Sequence, residues 1–127
     1  GAERQAEAEA QGAAFLATLR AMGTEAPERL PLPVAVGWAA RRLALPAEEV
    51  VALYLHAAAS TLVSAAVRFL PLGQAEGQRV LAGLHPAIEA AARRATDLPL
   101  EEIGTASLGA DLAALAHETL EVRIFRS

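Results

Sequence analysis

Apolar residues along this chain recur with the period of a helix, and prolines and glycines punctuate them. Over residues 3–22, Phe15, Leu16, Leu19 and Met22 form an apolar stripe, and Gly23 follows as a helix stop. The segment Thr24 to Pro33, TEAPERLPLP, holds three prolines and reads as a loop. A short helix is predicted from about Val34 to Leu43, with Val36 and Trp38 among its apolar members. Pro46 with Glu48 and Glu49 then marks a strong helix start, a proline and two acids in the first turn.

The third helix, about 46–70, is apolar nearly all round and is expected to be a buried core helix. Its polar residues His56, Ser60, Ser64 and Arg68 recur every fourth position, giving one slowly drifting stripe. Pro71 ends it. A fourth helix is predicted from near Gln74, with Leu81, Leu84, Ile88, Ala91, Ala92 and Ala95 on its inner face. Pro86 lies inside that pattern, so it must kink the helix or start a second piece just after Gly83. Pro99, Glu101 and Glu102 suggest a short helical turn, and a last helix is expected from about Ala110 to Leu120, with Leu112, Leu115 and Ala116 facing inward. No strand-like alternation competes with this reading. The fold class expected is all-α, a bundle of about five helices.

Composition agrees. Of 127 residues, 54% are hydrophobic but only 4% aromatic, so the apolar content is Ala and Leu, which favours helix over sheet. The net charge of −4 carries no basic block, which argues against nucleic acid as a partner. The absence of Cys removes disulfides, thiolate metal ligands and a thiol nucleophile, and fits a reducing cytoplasm. The stretch Val50 to Leu70 is long enough to span a bilayer, yet it carries His56, Ser60, Thr61, Ser64 and Arg68. An arginine costs roughly 2.5–3.5 kcal/mol on insertion scales only near a membrane centre, whereas Arg68 lies near the end and could snorkel; with the other polar residues counted, a buried core helix is the preferred reading.

No catalytic constellation emerges. His56, His85 and His117 are never four residues apart, and HETLE at 117–121 lacks the second His of a zincin helix. His117 and Glu121 would supply only two ligands, so no metal site is expected. No serine lies in a nucleophile-elbow or S-x-x-K pattern, and GQAEGQ lacks the Lys of a phosphate loop. The stripe His56–Ser60–Ser64–Arg68 has two readings: hydroxyls bonded back to the preceding turn beside close-packed helices, or the lining of a wet crevice or channel.

The linker Arg68 to Leu81, RFLPLGQAEGQRVL, is more particular than filler. Gly73 and Gly77 permit close approach or unusual dihedrals, and Gln74 and Gln78 lie one turn apart on one face. The amides could serve a core neighbour or a partner.

These residues carry a resemblance. SAAVRFLPLGQAEGQRVL (64–81) together with HETLEVRIFRS (117–127) resembles the UreF family of urease accessory proteins. In that family an AVR-x-x-PLGQ-x-x-GQ segment joins two core helices. PVAVGWAARRLALPAEEVVALYLHAAASTLVSAAVR (33–68) is similar as well. The resemblance implies an all-α fold and a C-terminal portion of a longer family chain, as a single domain over 1–127 without the family's N-terminal helices and with a tail over 121–127. It also implies a non-enzymatic cytoplasmic chaperone, homodimeric at full length. The family bridges UreD (also called UreH) and the GTPase UreG, modulates GTP hydrolysis, and helps insert nickel into apo-urease. Nickel is then cargo in transit rather than a resident cofactor. The matching positions are Arg68, Gln74, Gly77, Gln78 and Arg79 in the linker, and His117, Glu118, Thr119, Arg123, Phe125 and Arg126 in the tail. For the tail, the resemblance implies docking on UreD. Leu120, Glu121 and Val122 stand where the family usually has a Gln-Tyr-Ser run. The alternatives are a generic helical interaction module and, behind it, a membrane-helix protein.

Overall fold

A computed structural model describes residues 2–104 as five α-helices and one 3-10 turn: α1 (Ala2–Ala21), α2 (Leu32–Ala40), α3 (Ala47–Phe69), α4 (Gln74–Gly83), α5 (His85–Asp97) and the turn Leu100–Glu102. No strand occurs among the described residues, so the chain is all-α as expected. The helix expected over Ala110–Leu120 and the tail beyond it lie outside the described residues. The helices fall into two compact units, one over residues 2–43 and one over Ala44–Ile103.

In the first unit, α1 stops where Gly23 takes φ +86, a left-handed conformation that side chains resist. Its N–H donates to the Arg20 carbonyl at 2.9 Å, and the Thr24 N–H donates to the Leu19 carbonyl at 3.0 Å, the paired closure of a Schellman cap. The proline-rich loop then folds back on α1, and the Arg20 guanidinium donates to the Pro27 carbonyl. Leu16 of α1 and Ala35 of α2 are fully buried. Gly12 allows the closest approach: a methyl there would fall on the Leu30 carbonyl oxygen and lie 2.8 Å from the Leu32 nitrogen. α2 begins earlier than the pattern predicted, because Pro31 at its N-cap and Pro33 in its first turn both suit a helix entry. Past its end, the Arg41 guanidinium sits 4.3 Å above the Trp38 ring and that of Arg42 5.3 Å from it.

Gly37, by contrast, sits inside α2 with nothing within 4 Å of an added methyl. Gly37→Ala should therefore stabilise the chain by about 0.5–1 kcal/mol through backbone entropy alone. A thermal melt followed by circular dichroism checks this, and a lowered midpoint would contradict it.

The second unit is built on α3. Glu48 and Arg93 meet at 3.6 Å, and the His56 and His85 rings meet at 5.3 Å. Eight residues forward along α3 correspond to eight back along α5, so the two helices run antiparallel in register. α4 lies against the C-terminal part of α3 and joins α5 through Leu84, which keeps right-handed helical dihedrals (φ −82, ψ −14). Pro86 thus starts a new helix, as its ring would clash with a carbonyl four residues back in a continuous one. Leu81 and Ala92 are the buried apolar residues here, whereas Leu84 and Ala95 of the predicted inner face are exposed.

The expectation of a buried α3 is corrected. None of its residues is buried, although an 18-residue window has a mean hydropathy of 1.8. Within this unit α4 and α5 cover part of its circumference. Leu53 and Leu62 remain 62% and 73% exposed. By length and composition α3 could cross a bilayer.

Candidate functional site

The linker forms the turn between α3 and α4. Leu70 is extended (φ −111, ψ 155), the conformation a following proline favours, while its N–H still caps α3 on the Ala66 carbonyl at 2.8 Å. The Leu72 N–H closes back on the Leu70 carbonyl at 2.7 Å. Gly73 then enters α4 as an extended N-cap (φ −73, ψ 157), accepting from the Gly77 N–H at 3.0 Å. The expected special role of Gly73 is corrected: its dihedrals suit any residue, and nothing lies within 4 Å of an added methyl.

Gly77 does make the close approach. It is buried, and a methyl there would lie 2.7 Å from Val67 Cγ2 and 3.2 Å from Val63 Cγ1. Gly77 and Leu81, four apart, are the inward face of α4. Gln74 and Gln78 flank that face, at the helix start and along its edge. Both are exposed, and neither amide has a hydrogen-bond partner among the described residues. They do not serve a core neighbour within this unit. Arg79 is exposed and pairs with Glu76 on the same helix, and Arg68 is exposed at the end of α3. Exposed Leu70 and Val80 (55% and 47%) border this polar strip. The turn and the start of α4 thus expose amide, guanidinium and apolar groups, while Gly77 and Leu81 are packed inward.

The polar stripe of α3 runs out of the packed region. His56 and Ser60 are half-buried, and Ser64 and Arg68 are exposed. The hydroxyl that bonds back to the preceding turn is that of Thr61, to the Ala57 carbonyl at 3.0 Å, in place of the two serines. Within the second unit α3, α4 and α5 do not enclose the stripe. His56 instead meets His85, a pairing that sequence spacing did not reveal, because it depends on the α3–α5 register. Among the described residues no group of three or more His, Asp or Glu is placed to hold a metal. The tail positions His117, Glu118, Thr119, Arg123, Phe125 and Arg126 lie outside the described residues.

The UreF family model matches residues 1–85 of the chain. A urease accessory protein UreF of Cereibacter sphaeroides strain KD131 is 60% identical over 127 residues, which cover 99% of this chain and 60% of that protein. Those of Dinoroseobacter shibae and Paracoccus denitrificans are 56% and 53% identical, each over 99% of this chain and 60% and 59% of their own length. The chain thus spans about three fifths of the length of these relatives.

Proposed function

The chain belongs to the UreF family, and from that premise we propose that it acts as a non-enzymatic helical scaffold in maturation of urease. In this reading it joins UreD (UreH) and the GTPase UreG, modulates GTP hydrolysis by UreG, and assists nickel insertion into apo-urease. It works in the cytoplasm, as a homodimer at full length, with nickel as cargo.

The observation that carries the proposal is the α3–α4 turn. Its exposed amides Gln74 and Gln78, with Arg79 and the exposed Leu70 and Val80, offer a partner hydrogen-bonding and apolar groups together, and they lie within the residues that the UreF family model matches. Exposed arginine and amide groups recognise carboxylates and backbone. The tail is the second proposed contact: Phe125 would fill a pocket and Arg126 pair with a carboxylate on UreD.

Copurification with UreD and UreG, together with restored urease activity in cells lacking their own UreF, tests the proposal. Both are expected for the full-length protein, and Arg126→Glu should weaken the UreD complex with helix content unchanged. Failure to bind either partner, with urease maturing normally in its absence, would sink the reading. Sedimentation with membranes at high salt would favour the membrane-helix alternative, which the hydropathy of α3 keeps in view.

A further inference from the structure

One face of α2 is left unused by the first unit. Val34, Gly37, Trp38 and Arg41 recur at i, i+3, i+4 and i+7, so they share a face of the helix and of its right-handed C-cap. The buried residue of α2 is Ala35, which lies about 100° round from Val34. Val34 and, past the helix end, Leu43 are 54% and 58% exposed. Gly37, Arg41 and Arg42 are exposed, and Trp38 is half-buried.

Two independent observations say what this face would take. The first is Gly37. A glycine inside a helix loses backbone entropy on folding, and here no neighbour within 4 Å of an added methyl requires it. What it does supply is a bare stretch of helix backbone that a second backbone can approach closely. The second is charge. The Arg41 and Arg42 guanidinium carbons lie 4.3 and 5.3 Å from the Trp38 ring centroid, so the indole positions both groups. Neither forms an ion pair with a described residue, and Arg42 makes only a 3.5 Å contact, to the Glu25 carbonyl. Two positioned guanidiniums without a carboxylate are complementary to acidic side chains. They fall well short of the basic surface that tracks a phosphate backbone, in a chain of net charge −4. Tryptophan and arginine are also the side chains that most often dominate protein interfaces.

We propose that this face of α2 docks an acidic helix of a partner protein, with the partner backbone close against Gly37 and its carboxylates on Arg41 and Arg42 beside the Trp38 ring. Val34 and the indole supply the apolar contact, and small residues on the partner helix allow the approach. The surface is separate from the α3–α4 turn, and the proposal does not depend on UreD or UreG being the partners.

Trp38 is the one tryptophan of the 127 residues, so its fluorescence reports on the site directly. The probe is a Trp-free alanine-based helical peptide of about 20 residues with glutamate at every fourth position, beside a control with glutamine at those positions. Titrated into the untagged chain, the glutamate peptide is expected to shift Trp38 emission saturably, with a Kd of about 1 mM or tighter, and added salt should weaken it. The glutamine peptide should bind at least about tenfold more weakly, and so should the glutamate peptide to the Arg41→Gln/Arg42→Gln double variant. Gly37→Ala separates docking from folding: it should raise the melting temperature yet weaken the peptide about tenfold. Equal binding of both peptides, no saturable shift, or full affinity in Gly37→Ala would overturn the proposal. Two results would assign the face to another occupant and equally overturn it. One is a response to a single-stranded oligonucleotide at lower concentration than to the peptide. The other is a parent chain that sediments as a dimer and becomes monomeric in the double variant.

Discussion

Replacing Gly12 by alanine is expected to destabilise the chain by roughly 3 kcal/mol and lower its melting temperature by about 10 °C. The new methyl would occupy the position of the Leu30 carbonyl oxygen and press on Pro31 and Leu32, which is backbone and cannot rotate aside. Alanine gains about 1 kcal/mol of helix propensity over glycine, but that gain is smaller than the cost of forcing α1 from the α2 entry. The same change at Gly77 should cost less. There the obstacles are Val63 and Val67 methyl groups, which can shift, so overpacking of about 1–3 kcal/mol is partly cancelled by the propensity gain. Circular dichroism melts of both variants beside the parent decide the order. A Gly12→Ala melt at the parent temperature would show that the α1–α2 approach is looser than described.

The second large effect is expected in binding. Combining Gln74→Ala, Gln78→Ala and Arg79→Ala should reduce affinity for the proposed partners UreD and UreG by about 30-fold or more, the scale of a lost hot spot of about 2 kcal/mol. The fold should not notice. All three side chains are exposed, and the ion pair of Arg79 with Glu76 is a surface pair worth less than about 1 kcal/mol. Alanine also suits a helix at least as well as glutamine. Calorimetric titration of a UreD–UreG preparation with the triple variant, at unchanged helicity, measures the loss. Unchanged affinity would remove these residues from the interface.

Much of the helical plan was legible because punctuation is local. Gly23, Pro46, Pro71 and Pro86 each act within a turn of their own position, and helix ends fall within a few residues of each. Burial was not legible to the same degree. An all-round apolar pattern predicts that α3 wants cover, yet it cannot say which neighbours supply it, and α4 and α5 leave Leu53 and Leu62 exposed. Glycines divided in the same way. Gly23 was readable as a stop, but Gly12 matters only because residues 30–32 return to it, and Gly73 proved ordinary. For the site, the spacing of Gln74 and Gln78 showed that they share a face. Only the structure showed that both amides stay exposed although they flank the buried Gly77 and Leu81. The His56–His85 meeting needed the α3–α5 register, which no local signal encodes.

The claim that the α3–α4 turn is a docking surface is tested most directly by hydrogen–deuterium exchange on the unmutated full-length protein, with and without UreD and UreG. Slowed exchange of the backbone amides over residues 68–81, in the presence of the partners, is the predicted result. Unchanged exchange across 68–81, with protection appearing elsewhere in a complex that demonstrably forms, would contradict it.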